Sequence, residues 1–100
     1  MLSVGRNLEG PWIRLFRNGE ISLQINYKDG LRHGSWTQWH PNGQKWKEGA
    51  YNGGKEHGPW RGWYKNGQQA YIHEYDNDAP MGHWIHWDEK GYKVEEATFR

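Results

Sequence analysis

The chain contains no cysteine, so disulfides and thiolate metal sites are excluded, and the redox state of its compartment cannot be read. Aliphatic residues are scarce: Val, Leu and Ile number 12 among 100 residues, and Phe only 2. Coupled to a high net charge, that shortage would indicate disorder. The formal net charge is only +1, however, and the chain carries 8 Trp and 6 Tyr, whereas disordered chains are poor in aromatics. The apolar mass has moved from aliphatic side chains to rings. Long apolar runs are also missing. Leu2 to Val4 is too short for the apolar region of a signal peptide, and nothing later approaches a membrane span. The expectation is one soluble, cytoplasmic domain. No segment free of turn signals is long enough for a helix, and the abundant rings favour strand.

What the chain does have is a repeat. Gly10, Gly34, Gly58 and Gly82 are spaced by 24 residues, as are Trp12, Trp36, Trp60 and Trp84. The same frame holds for Leu15, Trp39, Trp63 and Trp87, for Gly19, Gly43, Gly67 and Gly91, and for Tyr27, Tyr51, Tyr75 and Phe99. Asn18, Asn42 and Asn66 precede their glycines, with Lys90 in the fourth copy. The frame divides the chain into units at about 10–33, 34–57, 58–81 and 82–100. Residues 1–9 form a degraded N-terminal cap, with Gly5 in register with Gly53.

Asn-Gly between two short runs predicts a β-hairpin closed by a type I′ turn, with Gly/Asn/Asp loops joining one hairpin to the next. Stacked hairpins give an all-β, elongated, single-layer antiparallel meander, a ribbon about 40 Å long. With Asn66 and Gly67 as the turn residues, Trp63 is expected opposite Ala70, Trp60 opposite His73, and, in the second unit, Trp39 opposite Trp46. Gly10 falls opposite Tyr27, where a ring lying over the glycine would replace its missing side chain. Alternation puts the Trp12/36/60/84 column, with Phe16 and Tyr64, and the Tyr27/51/75–Phe99 column on one face. Leu15, Trp39, Trp63 and Trp87 take the other, with Trp46, Ala70 and Val94. A bulge between the two Trp columns would instead bring them to one face.

The pattern G-x-W-x-x-W-Y-x-N-G, clearest at residues 58–67, resembles the MORN-repeat variant family over residues 10–99. His40 and Asp88 depart from it where the motif has Tyr, as does Lys90 for Asn. The resemblance implies a ribbon of stacked hairpins and no catalytic residue. Bacterial members include antitoxin or immunity proteins that bind a toxin partner. The broader group is linked to protein scaffolding and to membrane lipid.

The residues themselves offer little chemistry. His33 and His57 are repeat positions, read as structural. His83-x-x-His86-x-Asp88 has metal-like spacing, but on a strand His83 points away from the other two, and zinc asks for four ligands. No nucleophile is placed for catalysis, and no cofactor or metal is expected. Nucleic acid is disfavoured by a pI near 8.0 and interspersed carboxylates. Aromatic hairpin repeats also fit glycan or choline binding. The reading favoured is a non-enzymatic protein-binding scaffold. Specificity is expected where units differ on the second face, at Trp46, Ile72 and Val94 beside the Trp39, Trp63 and Trp87 column, with Trp46 as the leading anchor. Charge adds a second expectation. Residues 1–65 hold 10 Lys/Arg and 5 Asp/Glu, net +5, and residues 66–100 hold 3 and 7, net −4. Open sheet edges of opposite charge favour end-to-end self-association.

Overall fold

The computed structural model describes residues 7–100, and these form one open antiparallel sheet without a helix. Eight principal strands follow the chain: β1 (Gly10–Leu15), β2 (Ile21–Lys28), β3 (Leu31–Trp39), β4 (Lys45–Asn52), β6 (Gly58–Trp63), β7 (Gln69–Asp76), β9 (Gly82–Trp87) and β10 (Lys93–Phe99). Two short pieces, β5 (Lys55–Glu56) and β8 (Ala79–Pro80), pair with β4 and β7. The sheet extends 47 × 38 × 14 Å, so the single-layer meander is as expected. The expected register of Gly5 lies outside the described residues.

The Asn-Gly tips do not form the expected type I′ turns. At Asn66-Gly67 only the glycine has positive φ, at 88°. Gly67 N–H donates to the Tyr64 carbonyl and Tyr64 N–H to that of Gln68. This is a three-residue loop, a type I turn followed by a left-handed glycine. Its asparagine caps the turn, since Asn66 Oδ1 accepts from Gln68 N–H at 2.9 Å. The type I′ turns are the loops between units. Asp29-Gly30, Gly53-Gly54 and Asn77-Asp78 each have both residues at positive φ and sit between directly paired strand residues.

The longer hairpin loop changes the register near it. Trp63 pairs with Gln69 and Trp39 with Lys45, not with Ala70 and Trp46. A bulge falls in the second strand of each hairpin and leaves Ser22, Trp46, Ala70 and Val94 unpaired. Farther from the loop the register is as expected, with Trp60 opposite His73 and Gly10 opposite Tyr27. No bulge interrupts β6 between Trp60 and Trp63, so the two Trp columns occupy opposite faces.

The column glycines have a different cause from the one expected. Gly10, Gly34, Gly58 and Gly82 take φ of 77°, 89°, 82° and 71°, which other residues adopt only under strain. A Cβ at Gly10 or Gly58 would meet nothing within 4 Å, so no ring lies over either. Gly34, Gly58 and Gly82 instead turn the chain where extra residues enter the first strand of their units. Between β4 and the following unit, Tyr51 pairs with Glu56 but Glu48 with Arg61. The chain steps aside at Gly58 and Trp60 swings over the preceding hairpin. Rings do lie over glycines at two other places: Trp60 over Gly49 and Tyr71 over Gly62, where a Cβ would come within 2.1 and 2.0 Å of the ring.

Packing is one-sided. Among the described residues the buried apolar side chains are Leu23, Ile25 and Trp60. Register places all three on the face of the Trp12/36/60/84 column. Trp60 meets Trp36 at 5.4 Å between centroids and Tyr51 edge-on at 5.3 Å. Trp84 stacks on His73 at 3.8 Å and touches Tyr75 and Phe99. The column is therefore continued by intervening side chains rather than by Trp on Trp throughout. Among the described residues no ring pair links Trp39, Trp63 and Trp87 on the opposite face.

Candidate functional site

The departures from the repeat converge on the edge that carries the hairpin loops. In the third unit Tyr64 Oη donates to the Trp87 carbonyl of the next unit at 2.7 Å. His40, standing where the motif has Tyr, performs the same bridge: its Nε2 lies 2.9 Å from the Trp63 carbonyl, and the residue is only 6% exposed. The loop asparagines repeat the theme, Asn42 and Asn66 Nδ2 donating to the Lys65 and Glu89 carbonyls. Asp88 in the fourth unit turns back on its own loop, accepting from Lys90 and Tyr92 N–H. His33 and His57 are structural in a definite way: their Nδ1 atoms accept from Gly53 and Asn77 N–H in the next type I′ turn.

Bridging of the second loop to the third leaves a groove of about 510 Å³ lined by His40, Pro41, Trp46, Trp63, Tyr64, Lys65, Asn66 and Glu89. Trp46, freed from strand pairing by the bulge, stacks on His40 at 5.1 Å and 20° and remains 40% exposed. Cations sit over both tryptophans, Lys47 Nζ 5.3 Å from the Trp46 ring and Lys45 Nζ 5.8 Å from that of Trp63. Of the residues singled out from the sequence, the groove unites Trp46 and Trp63. It does not include Trp39 or Trp87. Ile72 lies mid-sheet between Arg61 and Ile85, and Val94 is a bulge residue of the last strand, 62% exposed. Sequence reasoning missed His40 and Tyr64 as groove walls: alternation assigned Tyr64 to the Trp60 face, and bridges from these side chains to backbone 23 residues on have no linear signal.

A second cluster lies on the packed face. Nε2 of His73 and of His86 are 2.7 Å apart, and His86 Nδ1 is 3.0 Å from Glu95 Oε1. In the neutral arrangement His73 Nε2–H donates to His86, and His86 Nδ1–H to the carboxylate. The metal-like spacing at His83, His86 and Asp88 does not converge. His83 points to Thr98 and Glu96, and among the described residues no group of three or more such side chains could hold a metal ion. The hydrogen bonds from His83 and Lys93 hold the Glu96 carboxyl below its ordinary range. Burial of the His73 ring, and then the neighbouring His86, lower the His73 pKa to about 4. Because the folded value lies below the unfolded one, the stabilisation is present above pH 6.5 and is lost as pH falls toward about 4. The full shift corresponds to roughly 3 kcal/mol, reduced to about 1 kcal/mol by partial solvation of the ring. Unfolding free energies measured from pH 7 to 4 are expected to fall by that much more in the wild type than in His73→Phe. Parallel curves would refute it.

Three segments, residues 8–29, 32–52 and 56–77, match the family model described as MORN repeat variant, together more than half of the chain. Each begins two residues before a column glycine. The fourth unit, with Asp88 and Lys90 in its loop, is not matched. No curated protein and no solved structure matches the chain. No helix among the described residues is long and apolar enough to cross a membrane. Repeat frame, hairpin stack and family model agree, and the chain belongs to the MORN repeat variant family.

Proposed function

We propose that the chain is a non-enzymatic protein-binding scaffold that occludes a partner's working surface, in the manner of an antitoxin or immunity protein. The observation that carries the reading is the aromatic groove at the loop edge. Trp46 contributes no strand pairing and stands exposed beside Trp63 and Tyr64, the residue types that dominate binding energy at interfaces. Lys47 and Lys65 flank these rings, while Lys45 is held by Glu48 and Glu89 lines the groove as its one carboxylate, so the groove favours an extended partner segment with an apolar anchor and a carboxylate on the Lys47 and Lys65 side. A choline cage is disfavoured, because the protein's own lysines already sit over both tryptophans.

The test is binding to the product of the neighbouring gene, with growth protection as the functional readout. The wild type is expected to bind and protect. Trp46→Ala, with its fold intact by circular dichroism, is expected to bind at least about thirtyfold more weakly, corresponding to about 2 kcal/mol. Equal binding by wild type and variant would remove the groove as the interface. Binding without protection would sink the antitoxin role while leaving the scaffold reading, and no binding would sink both for that partner.

A further inference from the structure

The packed face ends in a socket. Within the ribbon, the Trp60 ring lies over Gly49 against Trp36 and Tyr51, and its Nε1–H donates to the Ala50 carbonyl at 3.2 Å. Trp84 repeats this one unit later, over His73 and against Tyr75, with Nε1–H on the Glu74 carbonyl at 3.1 Å. Advancing the Trp60 site by two repeats, 48 residues, turns its walls into Trp84, Ala97 and Phe99. These residues, with His86, Glu95 and Glu96, line an open recess of about 240 Å³ on β9 and β10. The recess has the form of a Trp site without its Trp. At the other end of the column Trp12 is 39% exposed on β1, which among the described residues pairs only with β2.

We infer that a second copy of this chain fills the socket, its β1 pairing antiparallel with β10 and its Trp12 seated between Trp84 and Phe99. The register follows from the junctions inside the molecule. Lys47 pairs with Gly62 and Tyr71 with His86 across consecutive units. The equivalent pair across the new junction is Glu95 with Arg14 of the next copy, opposite charges directly facing each other. Trp12 Nε1–H then donates to the Thr98 carbonyl. Ala97 is no obstacle, since Trp84 is accommodated over the larger His73. The overall charge agrees, the basic end of one copy meeting the acidic end of another. One bridge is missing. Asp88 has folded onto its own loop where Tyr64 and His40 reach across, so this junction is weaker than an internal one and reversible. The contact is head-to-tail, so it adds copies in a row rather than closing a pair. It uses the sheet ends and is independent of the groove.

Sedimentation of residues 1–100 against concentration tests the inference. At low salt the mean mass is expected to rise with concentration beyond a dimer, and to return to the monomer at high salt. Glu95→Arg alone and Arg14→Glu alone each set like charges face to face and are expected to weaken association at least about tenfold. Mixing the two single variants restores opposite charges at every junction and is expected to restore the large species. Trp12→Ala is expected to be monomeric throughout, with the strand content of the wild type. A wild type that stays monomeric at low salt would overturn the inference. So would single variants that associate as the wild type does, or a mixture no larger than its components.

Discussion

Trp60→Ala is expected to lower the unfolding free energy by about 3–5 kcal/mol, measured by urea titration with circular dichroism. Trp60 is the one tryptophan buried to 5% exposure, and a single layer has few other atoms to collapse into the space it leaves. The substitution removes the contacts with Trp36 and Tyr51 and uncovers the Gly49 backbone. It also deletes the indole bond to the Ala50 carbonyl, which keeps the N–H of His57 as a second donor, so the carbonyl is not orphaned. The loss is therefore mainly one of apolar contact. A fall of less than about 1 kcal/mol would mean that the column does not hold the ribbon together.

Gly49→Ala is expected to cost about 1–3 kcal/mol or more, although alanine is ordinarily the better strand residue. The backbone there does not have positive φ, so the penalty is purely steric: the new methyl would lie 2.1 Å from the Trp60 ring. Trp60 would have to lift as Trp84 does above His73, giving up part of its contact with Tyr51. The mechanism makes a second, sharper demand. In a Trp60→Ala background the same Gly49→Ala change should cost nothing or stabilise slightly, because its clash is gone. Equal costs in the two backgrounds would place the strain elsewhere.

Much of this scaffold was legible from spacing alone. A repeat of 24 residues with no insertion, Trp and Gly in fixed frame and Asn-Gly at three of the four tips leave few alternatives to stacked hairpins. Registers set far from the loops, such as Trp60 with His73, followed directly. The errors came from turn geometry. Asn-Gly serves a type I′ turn, with asparagine at positive φ, or a type I turn with only the glycine there. The second holds here, and the bulge it imposes moved Trp46 out of the pair with Trp39. The column glycines were assigned to ring coverage because their partners are rings, whereas positive φ is what requires them. The glycines that rings do cover, Gly49 and Gly62, occur once each and carry no periodic signal. Leu23 and Ile25 were hidden for the same reason: their alternation in Ile21-x-Leu23-x-Ile25 is local to the first unit. The groove depended on the bulge and on side chains 23 residues apart meeting backbone, which no linear pattern displays.

The account divides the tryptophans into those that hold the ribbon and those left for a partner, and this division is its central claim. The most direct measurement is the unfolding free energy of Trp46→Ala beside that of Trp60→Ala in the same buffer. Trp46 loses a stack on His40 and little else, so it should stay within about 1.5 kcal/mol of the wild type, while Trp60→Ala falls by about 3–5 kcal/mol. Equal losses, or a greater loss at Trp46, would contradict the division.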